Sequence, residues 1–547
     1  MVLKQAYRFS KTLFTLLLFM VFFMVLPQEG VRAQEVVNAR DFGMTPGVEA
    51  SQSEALHAAM RYFYDRGVEG TVYIPAGTYS INEAVRFHQG VNLVGDGMGE
   101  TVLKKVGTSN NYVVGNPIMR TGNNLNVTVS HLTIDGDRQN RANQGLGQIG
   151  GMNIDSDVSN LTIEFIEVRD VTIGLLLRRL KDSTVRDSII DRTSGHGIAF
   201  GSESHAVGDV RNNLITGNQF TNSTGGSGIN LSRATHTTVT HNQLINTSHQ
   251  NDSYGGIRIP NGGAYNTVEH NVVENYPRGI FVLSDAHNNT ITQNTVTNSS
   301  IHGVLIQSDH NILADNVIQQ LNPSLNIESI IRIAPGSHNQ ILRNRIDTFS
   351  SYSNPGIRLT GSSNQNIIRD NQIDTSGTAV SIEGGSGNTN TGNIKLTNPV
   401  QFDSRASYEL VNRNSGKLLE VENAGTALGD NVAQWQRNFH PCQRWAIVQN
   451  NEGYYELINR NSNHALEVFG RSTLNGGNIV QWSRNGGANQ QWKIERTSDG
   501  YYTLINRHSG KALEVYDHSM INGGNVVQWD LNQGLLNQQW NIIEIRP

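Results

Sequence analysis

Five arginines, two histidines and several amides fall at matching offsets in a series of short glycine-led segments. Gly228-Ile-Asn-Leu, Gly256-Ile-Arg-Ile, Gly279-Ile-Phe-Val, Gly303-Val-Leu-Ile and Gly356-Ile-Arg-Leu are examples. Side chains alternate along a strand, so the third and fifth positions, counting the glycine as first, face away from the apolar ones. That face collects Asn153, Asp155, Arg178, Asn230, Ser232, Arg258, Arg332 and Arg358, and the residue ahead of the glycine adds His196, Arg278 and His302. Guanidinium binds carboxylates and sulfates bidentately, so the file suits an anionic polymer. β-Elimination on a uronate needs a base beside the C5 proton and positive charge or amides to stabilise the developing dianion. His196 or His302 is the expected base, Arg178 and Arg258 the carboxylate clamp, and Asn230 an amide donor. The competing reading is a solvated basic face with structural histidines. Inverting hydrolysis would instead need an acid and a base carboxylate about 6.5–9.5 Å apart, for which Asp155 and Asp157 are the nearby pair.

The segments recur with polar stretches and an apolar-x-x-Asn-x-apolar turn, at Asn218, Asn242, Asn271, Asn294, Asn316, Asn344 and Asn371. Period-two strands with variable loops read as coils of a solenoid. A right-handed parallel β-helix is the expected closure. Asparagine suits its turns through left-handed backbone angles and an amide that bonds the stacked neighbour. Leu56, Ala59, Met60 and Phe63 follow helical spacing, and Ser51 with Glu54 has the form of a capping box, which predicts an N-terminal capping helix.

Asn38-Ala-Arg-Asp-Phe-Gly, Gly70-Thr-Val-Tyr-Ile-Pro-Ala-Gly-Thr-Tyr79, Leu93-Val-Gly-Asp-Gly-Met-Gly-Glu-Thr-Val-Leu103 and Leu132-Thr-Ile-Asp-Gly-Asp-Arg-Gln-Asn140 resemble the entry coils of pectate-lyase-superfamily β-helix proteins. They are most similar to the catalytic modules of mannuronan C5-epimerases. Those enzymes carry Tyr-x-x-Asp-x-His after the Val-Arg-Asp stretch, where this chain reads Ile173-Gly-Leu-Leu-Leu-Arg178, and Gly201 replaces a further aspartate. The resemblance therefore implies the fold and not the epimerase's own mechanism. Ser194-Gly-His-Gly-Ile-Ala-Phe-Gly-Ser202 resembles the Gly-His-Gly segment of polygalacturonases, whose paired aspartates would fall at Ile173 and Gly174. Asp135-Gly-Asp137 offers oxygen ligands that could take Ca²⁺, with a plain turn as the alternative.

All six tryptophans lie in three copies of one segment, starting at Tyr408, Tyr455 and Tyr502. Each copy runs through Leu-Glu-Val, an outer tryptophan and a closing Gln-x-Trp, and three such units predict a β-trefoil. The segment resembles the ricin-B-type lectins, which implies sugar binding by Glu467, Trp482, Asn489 and Gln490 in the second copy and by Glu514, Trp529, Asn537 and Gln538 in the third. Cys442 stands where those copies have asparagine, so the first site ranks weakest. Glutamate replaces the usual aspartate, and Gln434, Gln481 and Gln528, adjacent to the outer tryptophans, should face away from them.

The expected organisation is a signal peptide at 1–33, a β-helix catalytic domain at 34–398, a Thr397-Asn-Pro-Val-Gln linker and a trefoil at 405–547. Lys4, Arg8 and Lys11 ahead of an apolar run to Leu26, then Val31-Arg32-Ala33, have the form of a secretory leader. Losing it takes the net charge from −5 to −8, which does not suit nucleic acid. One cysteine excludes an intrachain disulfide. The chain is expected to be a secreted monomer that binds and depolymerises an acidic polysaccharide as a lyase. A glycoside hydrolase and a non-catalytic glycan-binding adhesin are the alternatives.

Overall fold

A computed structural model describes residues 34–545 apart from 202–203, 247–252, 284, 326, 350, 397–401 and 498–499. The leader and the linker segment lie outside the described residues. Twelve strands stack in parallel to form one long face: β1 (Val85–His88), β2 (Val114–Ile118), β3 (Met152–Ile154), β4 (Leu175–Leu177), β5 (Ile198–Phe200), β6 (Ile229–Leu231), β7 (Gly255–Ile259), β8 (Arg278–Val282), β9 (His302–Ile306), β10 (Ile331–Ile333), β11 (Ile357–Leu359) and β12 (Val380–Ile382). The other strands of each coil form a second parallel array, and their inward apolar side chains fuse into one core from Ala39 to Ile373. This is a parallel β-helix.

Two asparagine ladders hold the coils together. In one, running from Asn218 to Asn393, each backbone N–H donates to the next amide oxygen at 2.8–3.0 Å. The second, Asn266, Asn289, Asn311, Asn339, Asn366 and Asn388, does the same and was not recognised in the sequence. The left-handed backbone expected of the ladder asparagines belongs instead to the residue before each: His241, His270, Gln293, Asp315, Arg343 and Asp370. That preceding residue makes the bend. The asparagine is then turned inward, where its amide can only stack.

A helix, α1 (Ser53–Tyr64), buries Leu56, Ala59, Met60 and Phe63 in the same core. The capping box does not form. Gln52 is the N-cap, the Ser51 hydroxyl accepts from the Ser53 and Asn82 N–H groups, and Glu54 is drawn away by Arg61.

Residues 407–545 build twelve antiparallel strands around a separate core in which Trp445, Trp492 and Trp540 are fully buried. Gln434, Gln481 and Gln528 are equally buried, and each donates to two carbonyls in a loop of the neighbouring repeat. This trefoil packs on the β-helix through Val272 against Ile543 and Ile545. Arg437 joins Glu274 at 2.9 Å and Glu409 at 2.8 Å, and Arg496 joins Asp374 at 2.9 Å. Among the described residues no helix is long and apolar enough to cross a membrane.

Candidate functional site

Parallel register along the twelve-stranded face brings one side chain per coil into line. From β3 to β12 the file reads Asn153, Leu176, Ala199, Asn230, Arg258, Phe281, Leu305, Arg332, Arg358 and Ser381. Neighbours stand about 4.8 Å apart. The file is less cationic than the glycine offsets imply. Arg332 is held by Glu328, and Arg358 by Glu328 and by Glu383 at 2.6 Å. Both glutamates lie outside the strands that carry the arginines.

A polar cluster forms just past β3 and β4. Asp155 accepts from Arg178 Nη1 at 3.0 Å, and its other oxygen lies 3.3 Å from His205 Nε2. Its own backbone is fixed at both ends: the N–H donates to the Asn116 side chain, and the carbonyl accepts from Arg179. Tyr112 lies close enough to feel the Arg178 charge, while burial raises its phenol pKa and keeps it protonated. Its ring passes so close to Gly150 that a Cβ there would stand 2.0 Å from Cε1. Only glycine at 150 leaves room for the ring. The Asn153 side-chain oxygen is buried beside this cluster without a partner. Asp157 is drawn to Lys181 at 2.6 Å. Neither carboxylate of the Asp155/Asp157 pair thus sits in the apolar setting that a hydrolytic acid needs.

His196 and His302, the histidines expected as base, are half-buried and buried respectively, and both are tied to backbone groups. His196 Nδ1 accepts from the Ser227 N–H at 2.9 Å, so its remaining proton is on Nε2 and the ring can only donate toward the groove. His302 is 3% exposed, with Nδ1 against the Ser329 carbonyl at 2.9 Å. Burial pushes both pKa values down to about 4. Arg258, on β7, is three strands from β4, after which Arg178 follows. That is about 14 Å, so the two cannot clamp one carboxylate. His205, through Asp155, and Tyr112, within range of the Arg178 charge, are the other titratable groups of this cluster. Both come from connections between strands, where no repeat marks them.

In the trefoil, Trp482 and Trp529 are partly exposed and cross to the adjacent repeat, lying over Gly429 and Gly476. Phe469 stands 6.1 Å from Trp482 and Tyr516 6.0 Å from Trp529, making two tilted aromatic corners. These partners were legible, since each follows Leu-Glu-Val where the first copy has Glu422. Gln490 and Gln538 are fully buried. Each donates to its glutamate, Glu467 or Glu514, at 2.7 Å and to a carbonyl, and accepts a backbone N–H, so both amide donors are spent. Asn489 and Asn537 bond through Nδ2 to Val468 and Val515, and their oxygens are buried without partners. In the first repeat Asn438 covers Glu420 at 2.9 Å, and Cys442 is buried.

Asp135, Asp137 and Asp170 have oxygens close enough to share an ion. Arg169, Lys104 and Arg138 already neutralise them. The donor set is satisfied without Ca²⁺.

The sequence pattern described as Rhamnogalacturonase A/epimerase, pectate lyase-like, matches residues 36–258. The ricin-type beta-trefoil lectin domain-like pattern matches 395–482, 441–529 and 488–546, and that of the periplasmic copper-binding protein NosD matches 211–417. Mannuronan C5-epimerase AlgE1 of Azotobacter vinelandii is 30% identical over 201 residues, 32% of this chain and 14% of that protein. Alginate lyase 7 of the same organism is 28% identical over 218 residues, 37% of this chain and 24% of that protein. The match thus spans under a quarter of either relative. The A-module of Azotobacter vinelandii mannuronan C-5 epimerase AlgE6 superposes with a TM-score of 0.54 at 18% identity, over 66% of this chain and all of the module, which speaks for the fold. Fold and patterns together identify the chain as a pectate-lyase-like parallel β-helix joined to a ricin-type, lectin-like β-trefoil.

Proposed function

We propose that the protein is a secreted lyase of an acidic polysaccharide, with the reaction centred on Asp155, Arg178, His205 and Tyr112. The observation that carries it is the Asp155 carboxylate, which gathers Arg178 and His205 at the mouth of the stacked strands. A uronate held there has its carboxylate beside Arg178, which stabilises the dianion formed when the C5 proton leaves. His205, oriented by Asp155, accepts that proton. The C5–H electrons form the C4–C5 double bond, the C4–O bond breaks, and the departing oxygen takes the Tyr112 phenol proton. The products are an unsaturated uronate end and a new reducing end. The related proteins named as acting on alginate or mannuronan make a polyuronate the first substrate to try. The trefoil's aromatic corners would hold the same glycan and raise its local concentration.

A second reading, epimerisation, is favoured by the epimerase relatives. It shares the proton abstraction and differs in returning a proton to the opposite face of C5. The two separate in one experiment on alginate, pectate and glycosaminoglycans. A lyase product absorbs in the ultraviolet. An epimerase product keeps its length but takes up deuterium at C5 from heavy water. Loss of about 10²–10⁴-fold in rate is expected for Asp155→Asn and His205→Ala. A protein that neither cuts nor exchanges any of these polymers, while its trefoil still binds them, refutes the enzyme reading in favour of a glycan-binding adhesin.

A further inference from the structure

Arg258 differs from Arg178, Arg332 and Arg358 in having no carboxylate partner among the described residues. Arg178, Arg332 and Arg358 are each neutralised. The Arg258 guanidinium is instead wedged between two rings, 5.5 Å from the Tyr254 centroid and 5.9 Å from that of Phe281. Nη1 donates to Asn230 Oδ1 at 3.3 Å, and Nε is buried without a partner. Burial depresses its pKa, and no carboxylate among the described residues offsets that loss of water. Such a charge destabilises the fold unless something anionic completes it.

The neighbour on the other side of Tyr254 is His196, ring centroids 5.0 Å apart and edge-on. With Nδ1 committed to Ser227, His196 offers an N–H from Nε2. Burial and the Arg258 charge keep it neutral, so it donates without adding a second positive charge. A fixed guanidinium and a neutral N–H donor around one aromatic ring make a receptor for a planar anion.

We propose that Arg258 and His196, arranged about Tyr254, form a carboxylate subsite for a uronate of the substrate chain several sugars away from the reaction centre. This rests on the reading that the groove takes a polyuronate. The subsite is three strands from β4, about 14 Å along the stack, which exceeds the reach of one sugar. A chain must therefore lie along the helix axis to meet both places. Binding energy from a remote carboxylate would then favour long chains over short ones, and cleavage would fall inside chains.

The test uses the full-length protein, wild type and Arg258→Met, with a trimer and an octamer of the polyuronate that the wild type accepts. Affinity is measured by calorimetry and turnover separately. For the octamer, Arg258→Met is expected to weaken affinity and raise KM by about tenfold or more, the worth of one charge-assisted contact, with the trimer unchanged. Thermal unfolding should hold or rise, since methionine keeps the packing between the rings and removes a desolvated charge. Arg258→Lys, which keeps charge without the planar fork, should restore only part of the octamer affinity. Equal effects on both lengths, or a lower melting temperature with unchanged affinity, would make Arg258 structural and overturn the subsite. Tighter retention of a sulfated neutral octamer than of the polyuronate would overturn the carboxylate assignment. If the wild type binds the octamer without turning it over, the lyase reading falls while the affinity comparison still decides the subsite.

Discussion

Acidification should unfold the β-helix before the trefoil, because buried histidines held neutral lie in the β-helix. His88 is 1% exposed with Nδ1 at 2.9 Å from the Arg86 carbonyl, and His302 is 3% exposed against Ser329. Burial lowers both pKa values to about 4, against about 6.5 in an unfolded chain. A depressed folded-state pKa means that the unfolded chain takes up the proton first. The stabilisation is therefore complete above pH 6.5 and is lost as pH falls toward 4. At pH 5 each histidine has lost about 1.5 units of that window, so the pair removes about 4 kcal/mol relative to pH 7. Total stabilities are typically about 5–15 kcal/mol, so the loss should be plain. All six tryptophans lie in the trefoil, so their fluorescence follows that unit alone, while far-ultraviolet circular dichroism follows both. Urea titrations between pH 7 and pH 5 should show the dichroism midpoint falling ahead of the fluorescence midpoint. In His88→Asn/His302→Asn, which keeps a donor to each carbonyl, the pH slope should shrink by about two protons. A stability that is flat over this range, or an unchanged slope in the double variant, would refute the argument.

Other perturbations have equally definite outcomes. Trp482→Ala and Trp529→Ala should each weaken glycan binding by about 1–2 kcal/mol, read as loss of retardation on affinity gels, while Trp435→Ala should not. Arg437→Ala leaves Glu274 and Glu409 facing each other at the interface and should cost about 3–5 kcal/mol of stability by denaturant titration. Asn294→Ala strips a ladder amide that donates to Val268, Thr292 and Asn316, and should destabilise by at least about 3 kcal/mol. Asn288→Ala, at the left-handed bend before Asn289, removes an exposed side chain and should cost only the strain of that backbone angle, about 1 kcal/mol.

The repeats made direction legible and left company illegible. Spacing placed Asn153, Arg178, Arg258, Arg332 and Arg358 on one face, because alternation along a strand is local. It could not show that Glu328 reaches both Arg332 and Arg358, or that His205 reaches Asp155, because those partners come from connections whose paths the period does not govern. The same limit appears in the trefoil, where the Leu-Glu-Val triplet marked Glu467 and Glu514 but not the bonds that Gln490 and Gln538 donate to them. A stack of similar coils is also nearly uniform along its length, so the strands alone cannot distinguish one place on the groove from another. What distinguishes Asp155 from Ser232, or Arg258 from Arg358, is contributed by Tyr112, His205, Tyr254 and Glu328, none of which lies in a strand of that face. The Tyr-x-x-Asp-x-His pattern of the epimerases this chain resembles would fall at Ile173–Arg178, across β4, and those residue types are absent there. Within the proposed lyase reading, these residues outside the strands, His205 beside Asp155 and Tyr254 beside Arg258, give two places on an otherwise uniform face their own chemistry.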